Sequence, residues 1–318
     1  MKPAVSVVIP NWNGKKHLQE CLASLSEQTI LDYEIILVDN GSQDGSQEYV
    51  RTMFPNVKLI TFDKNRGISA ANNAGIEAAH AEIVVVMNND TSVETTFLQN
   101  VLRAFEENPD ISFCAMKTVQ DGGIINAIGD AEKFVKVSSP AIPRRVKDGP
   151  EWNVARDVFG AGPCMAYRTS LFIDVGLFDE DLFAFYEDVD MAFRAHLAGH
   201  RAIYWPHAVM RHKVEGTLKR EHPMAMYYRT RNGIWILLKN MPAVILARYF
   251  HKLVGPILKT WLRDAIKSLL RFKKDELVTV RIGARRDAVR GFDKMYGKRR
   301  YIQGHRKIKP NELLFFLR

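Results

Sequence analysis

Apolar and polar positions follow two rhythms through the first third of the chain. Short, nearly continuous apolar runs, VSVVIP (5–10), EIILVDN (34–40), VKLITF (57–62) and EIVVVMNND (82–90), are too short for helices and rich in β-branched residues. They predict buried strands. Between them, HLQECLASLSEQT places Leu18, Cys21, Leu22 and Leu25 at helical spacing, and GISAANNAGIEAAH is an alanine-rich helix. Strand and helix alternating with short links predict an α/β fold with a mainly parallel sheet covered on both faces. Three strands end in polar residues: Pro10-Asn11-Trp12-Asn13, Asp39-Asn40-Gly41-Ser42 and Asn88-Asn89-Asp90. Ligands bind beyond the carboxyl ends of strands in such sheets, so the three ends predict a shared cleft.

The rhythm weakens between Asp121 and Val158, which predicts an irregular segment or a small β-excursion. It returns with DVDMAFRAHLAGH, a helix stopped at Gly199, and RAIYWP, a strand. Beyond about Thr217 three helices are expected: PMAMYYRTRNGIWILLKN, AVILARYFHKLV and PILKTWLRDAIKSLLRFKK. In the last, Lys259, Arg263, Lys267 and Arg271 recur every four residues beside an apolar row of Leu258, Leu262, Ile266 and Leu270. That is an amphipathic helix with a basic flank.

Charge sharpens this division. Of 318 residues, 216–318 carry 25 Lys and Arg against 7 Asp and Glu, a net of +18, while 1–215 carry 20 against 29, a net of −9. We therefore expect a globular domain at 1–215 and a basic helical extension at 216–318 drawn to anionic surfaces. Cys21, Cys114 and Cys164 form no CxxC pair, which points away from a disulfide framework and toward a reduced, cytoplasmic location. The opening MKPAVSVVIPNWNG has too brief an apolar run for a signal peptide, and no apolar run is long enough to span a bilayer.

The candidate chemistry rests on carboxylates. YEDVDMAFR sets Glu187, Asp188 and Asp190 at a helix start, where acids also simply suit the macrodipole. As a functional cluster, their mutual repulsion raises at least one pKa toward neutrality, which suits a general base. Asp90, at the end of a buried strand, is either a turn residue or a ligand for a hard divalent cation shared with substrate phosphates. His212 follows a strand and matters only if such a metal needs a further ligand. VDNGSQDGS is neither a GxGxxG nor a Walker loop; it is a turn, or a place where Asp39 and Asn40 bind a base or ribose. Asn65 and Arg66 precede a helix, where an arginine caps the surface or meets phosphate.

Taken in order, VVIPNWNG, VDNGSQDGS, NRGISAANNAG, MNNDT, GAGPCMAYR, GLFDEDLFAFYEDVDMAFR and a histidine segment resemble glycosyltransferase family 2 over about residues 4–232. The resemblance implies a GT-A fold and an inverting transferase with a nucleotide-sugar donor. VDNGS and NND look most like bacterial rhamnosyltransferases of cell-surface polysaccharide synthesis. It further implies that Pro10, Asn11, Asn13, Asn65, Arg66 and Asn89 belong to the donor pocket and that Asp39 and Asn40 read the pyrimidine and ribose. Asp90 and His212 become ligands for Mg²⁺ or Mn²⁺, and Asp188 the general base. Glu187, Asp190 and Gly162 support that base or the acceptor, and Arg231 meets the diphosphate. Asn88 departs from a fuller Asp-x-Asp pattern, so metal binding should depend on the donor diphosphate.

The expected acceptor is a glycan or a lipid-linked acceptor, reached at the anionic inner face of the cell membrane through the basic helices. Those helices show no nucleic-acid module, and they also read as a solvated cap or a dimer arm. The competing functions are the same fold with a UDP-hexose donor, a non-catalytic assembly partner at the membrane, and a nucleotidyltransferase. The last should have a glycine-rich basic loop after the first strand, and PNWNGKKH offers one glycine.

Overall fold

In a computed structural model the described residues are 2–120, 122–127, 146–213, 222–269 and 276–315. Those within Met1–Asp130, Pro143–Phe183 and His200–Thr217 form one compact unit, and those within Ala184–Gly199 and Leu218–Arg318 a second. In this division the acidic segment 184–199 groups with the C-terminal helices.

The first unit begins with β1 (Val5–Asn11), α1 (Lys15–Ser26), β2 (Tyr33–Asp39), α2 (Ser46–Met53), β3 (Lys58–Thr61), α3 (Ile68–Glu77) and β4 (Ile83–Met87). The four apolar runs are thus strands, and they pair in parallel in the order β3-β2-β1-β4. There follow β5 (Thr91–Val93), α4 (Phe97–Glu107), β6 (Ile111–Gln120), β7 (Ile124–Ala127), β8 (Val146–Lys147), β9 (Arg156–Asp157), β10 (Cys164–Arg168) and α5 (Thr169–Val175). The second unit opens with α6 (Glu187–Leu197), and β11 (Arg201–His212) returns to the sheet of the first.

Beyond β4 the sheet is mixed. β10 runs antiparallel to both β4 and β6, β6 pairs in parallel with β11, and β11 ends antiparallel to β5. RAIYWP is only the start of β11, which continues through a register break between Trp205 and Val209. Leu18, Cys21, Leu22, Phe97 and Val101 of α1 and α4 pack on one face of the sheet, where Val7, Ile9 and Val85 also point. Ala71 of α3 packs on Ile36 and Val38 of the other face. Successive strand residues point to opposite faces, so doubly apolar strands are what a two-sided cover requires.

In the second unit α6 is followed by α7 (Pro223–Asn240), α8 (Ala243–Arg248), α9 (Phe250–Leu253), α10 (Gly255–Leu269), α11 (Glu276–Arg290), α12 (Phe292–Gly304) and α13 (Pro310–Phe315). α7 spans the expected helix to the residue. AVILARYFHKLV is broken at Tyr249 into α8 and α9. Leu270, Arg271 and the expected continuation of α10 through Lys274 lie outside the described residues. No helix among the described residues is long and apolar enough to cross a membrane.

Candidate functional site

The candidate residues fall into two groups, one in each unit. The first lies at the carboxyl ends of β1, β2 and β4, and Asn11 joins all three ends. Its Nδ2 donates to Asp39 Oδ2 at 2.9 Å and to Ser42 Oγ at 3.3 Å, while its Oδ1 accepts from Asn89 Nδ2 at 2.7 Å. Parallel pairing opposes Asn11 to Asp39, which sets the first bond. A Cβ at Gly14 would collide with the Asn89 and Asn11 side chains, so a larger residue there would have to displace this bridge. Asn13, exposed and with φ of 48°, donates its N–H to Ser42 Oγ and accepts from Gln43 N–H. Pro10, directly before Asn11, is half-buried in β1.

Asp39 is fully buried. Its Oδ1 accepts from the Ser42 N–H and from Gln47 Nε2, and its Oδ2 from Asn11. Asn40 is equally committed: its Nδ2 donates to Asn65 Oδ1 and the Gly67 carbonyl, and its Oδ1 accepts the Arg66 N–H. These two residues therefore shape the loops at 41–47 and 64–67. Arg66 is the half-exposed cation at that rim, 4.6 Å above the Phe62 ring and 3.9 Å from Glu180.

Asp90 occupies the turn between β4 and β5. The antiparallel register of β11 on β5 sets His212 opposite Thr91, and His212 Nε2 comes to 3.2 Å from Asp90 Oδ1. Both side chains are shielded, at 4% and 11% exposure. Burial pushes the Asp90 carboxyl up, but the hydrogen bond and charge of His212, with the charge of His17, hold it below its ordinary value. A buried, ionised carboxylate beside an imidazole suits one face of a divalent cation. No group of three or more His, Cys, Asp or Glu gathers for a metal among the described residues. The chain therefore fits a metal as a two-ligand contributor that leaves other positions to substrate oxygens. Asn88 turns its backbone to the protein, donating its N–H to Pro163 and accepting from Thr91 Oγ1. That bond places the Gly162 loop beside this turn.

The second group lies in the second unit. Asp190 is fully buried and met by Lys239 Nζ at 2.6 Å, Asn240 Nδ2 at 2.7 Å and Arg194 Nε at 2.9 Å. It fastens α6 to the end of α7. Asn232 Nδ2 donates to the Ala184 and Phe185 carbonyls and so fixes the loop entering α6. Arg231 Nε donates to Asn232 Oδ1, and its guanidinium lies 4.1 Å from the Trp235 ring and 4.9 Å from that of Tyr228. Phe185 and Tyr186 hold φ values of 67° and 71°, a strained backbone that these anchors maintain. Asp188 and Glu187 follow directly. Glu187 Oε2 is cut off from solvent and has no hydrogen-bond partner among the described residues. Burial, then the charges of Asp188 and Asp190, push its carboxyl up to about 8. Glu187 is thus a raised carboxyl within the cluster.

Sequence reasoning missed His17, Asn232, Lys239 and Asn240, and gave Ser42 no role beyond its place at a polar strand end. Lys239 and Asn240 carried a signal: two polar residues end the apolar run IWILL at the close of a helix.

Comparison with known proteins follows from this geometry. The profile described as "Glycosyl transferase family 2" matches residues 6–176, more than half the chain. Glycosyltransferase AglE of Haloferax volcanii is 37% identical over 30% of this chain and 34% of its own length. The N-acetylglucosaminyl-diphospho-decaprenol L-rhamnosyltransferase of Mycobacterium tuberculosis is 28% identical over 68% of this chain and 78% of its own. The chain spans about a third of the length of AglE and of the Bacillus subtilis putative glycosyltransferase EpsH. Among solved structures, S. aureus TarS 1–349 superposes with a TM-score of 0.58 at 16% identity over 94% of this chain and 90% of its own. The mannosyltransferase PcManGT of Pyrobaculum calidifontis, solved with GDP-Man and Mn²⁺, gives 0.54 at 17% identity over 96% and 86%. The fold is that of GT-A transferases.

Proposed function

Because the chain belongs to glycosyl transferase family 2, we propose that it is an inverting, metal-dependent transferase of cell-surface polysaccharide synthesis. It moves a sugar from a nucleotide-sugar donor, with dTDP-rhamnose as the first choice, to a lipid-linked glycan. The observation that carries this is the buried Asp90–His212 pair at the junction of three polar strand ends. The rhamnose choice is supported by the mycobacterial relative, whose name records a rhamnosyltransferase with a diphospho-decaprenol substrate.

Asp90 and His212 would hold Mn²⁺ or Mg²⁺, which when bound would supply positive charge to the donor diphosphate. Arg66 adds positive charge toward those phosphates, and a diphosphate contact by Arg231 is part of the proposal. Asn11, Asn13, Asn65 and Asn89, with the loops shaped by Asp39 and Asn40, shelter the nucleotide. Asp188 takes the proton of an acceptor hydroxyl; its oxygen attacks the anomeric carbon from the face opposite the leaving nucleoside diphosphate, and the configuration inverts. Asp190, Glu187 and Gly162 support the base and the acceptor. The enzyme works in the cytoplasm at the anionic inner face of the membrane, and nucleic acid is not a partner.

Thermal stabilisation across dTDP-, UDP- and GDP-sugars, each with and without Mn²⁺ or Mg²⁺, tests this directly. A shift with dTDP-rhamnose and metal is expected. A shift with a UDP-hexose alone reassigns the donor, and no shift with any donor favours a non-catalytic assembly partner. Asp188→Asn should abolish transfer while donor stabilisation persists; transfer at a near-normal rate would reject Asp188 as the base.

A further inference from the structure

Among the described residues of the second unit, α10 presents an exposed face. α10 touches α11 through Asp264, which is fully buried and takes Arg281 Nε and Nη2 at 2.8 Å and Arg285 Nη1 at 2.6 Å. Arg285 also donates to Thr260 Oγ1 at 3.1 Å. This ion-pair cluster fixes the roll of the helix, and every other residue from Leu258 to Leu269 except Thr260 is exposed. The outward surface is apolar: Leu258, Trp261, Leu262, Ile266 and Leu269 fall on one arc of about 140° at roughly 100° per residue. Leu262 is 64% exposed and Leu269 83%. Lys259, Arg263 and Lys267 border one edge of that arc, and Arg248 and Lys252 lie on the preceding short helices. From Ala243 to Leu269 the only carboxylate is Asp264, already buried and paired.

We propose that this face of α10 is an in-plane membrane docking surface, with its apolar arc seated in the acyl boundary of an anionic bilayer and its basic edge on the lipid phosphates. A helix with both a broad apolar arc and a basic flank fits that boundary. A second copy of this chain fits less well. It would bring like-charged flanks into one interface, and α10 has no free carboxylate to offset them. Nucleic acid would leave the apolar arc unsatisfied. This assignment rests on the reading above only in its choice of acceptor; the surface itself is independent of it.

The test is co-sedimentation of the full chain with vesicles of phosphatidylcholine alone and of phosphatidylcholine with phosphatidylglycerol. Binding to the mixed vesicles is expected, with a blue shift in tryptophan emission that Trp261→Phe removes. Leu262→Ser combined with Ile266→Ser should weaken binding about tenfold or more by withdrawing buried apolar area. Lys259→Glu, Arg263→Glu and Lys267→Glu together should lose binding to mixed vesicles and leave the weak binding to neutral ones unchanged. All are exposed positions, and thermal unfolding confirms that each variant is folded. Failure of the wild-type chain to bind mixed vesicles, or binding by the apolar variant equal to wild type, overturns the proposal. So does a dimer in light scattering that the apolar variant dissociates without lipid. Transfer to a water-soluble acceptor is measured alongside. Transfer without vesicle binding rejects this surface and the membrane location while leaving the transferase reading, whereas vesicle binding without transfer rejects the transferase reading alone.

Discussion

Glu187 and Asp90 are two carboxylates taken out of water with opposite results. Asp90 gains a histidine that holds its carboxyl below the ordinary value, while at Glu187 burial and the charges of Asp188 and Asp190 outweigh two backbone hydrogen bonds and push the carboxyl up to about 8. Below that pH the YED cluster therefore carries one negative charge fewer than its composition suggests. A raised folded-state pKa means that the folded form binds the proton more tightly than the unfolded form. The associated stability is full below about 4.5 and is lost as pH rises through about 8. Glu187→Gln should remove that slope, leaving the variant about 1–3 kcal/mol more stable than wild type above pH 8 in urea titrations. Equal slopes would show that Glu187 titrates normally. At Asp90, with a single carboxylate and one imidazole, titration calorimetry should show weak Mn²⁺ binding to the protein alone. Binding should tighten about tenfold or more when a nucleoside diphosphate is present, because its oxygens complete the coordination shell. Asp90→Ala should lose the donor-dependent part. A tight metal site in the donor-free protein would contradict the one-carboxylate assignment.

Between elements, the acidic helix owes its position to α7. Asp190 meets Lys239, Asn240 and Arg194 in a site with no exposed charge of its own, and Asn232 holds the Ala184 and Phe185 carbonyls ahead of Asp188. Asp190→Ala would leave Lys239 and Arg194 buried beside a vacated partner. It should cost about 3–5 kcal/mol, read from the urea midpoint. A loss under about 1 kcal/mol would show that the network relaxes freely. In the first unit Gly67 holds φ of 90°, and a Cβ there would run into the Phe183 carbonyl that accepts the Ile68 N–H. Gly67→Ala should cost about 1–3 kcal/mol and weaken donor binding, since the 64–67 loop that carries Arg66 must shift.

Across the whole molecule the charge is divided, net −9 over residues 1–215 and net +18 over 216–318. The overall +9 understates the field of the C-terminal helices. Long-range attraction to an anionic surface decays over the Debye length, about 10 Å at 0.1 M salt and about 3 Å at 1 M. Binding to phosphatidylglycerol vesicles should therefore weaken steeply as salt rises. The residual binding at high salt should be the part that Leu262→Ser with Ile266→Ser removes. Salt-independent binding would assign the attraction to apolar contact alone.

The sequence by itself determined the first four strands, the helices with a clear apolar rhythm and the polar strand ends, because these are encoded locally. Continuous apolar runs need a two-sided cover, and the switch from Val86-Met87 to Asn88-Asn89-Asp90 marks where a strand leaves the core. The helix Pro223–Asn240 was readable for the same reason. Only the tertiary structure decided what those ends bind to. The His212–Asp90 pairing depends on the register of β11 on β5, and the Asp190 network joins residues about fifty positions apart. Burial also set neighbouring carboxylates apart, pairing Asp190 with Arg194 and Lys239 and pushing Glu187 up. The roll of α10 was decided the same way. The sequence shows that Leu262 and Asp264 lie on different sides of a helix, but only the pairing of Asp264 with Arg281 and Arg285 turns the apolar side outward. Local rhythm specifies which residues share a face; contacts between distant segments specify what that face meets.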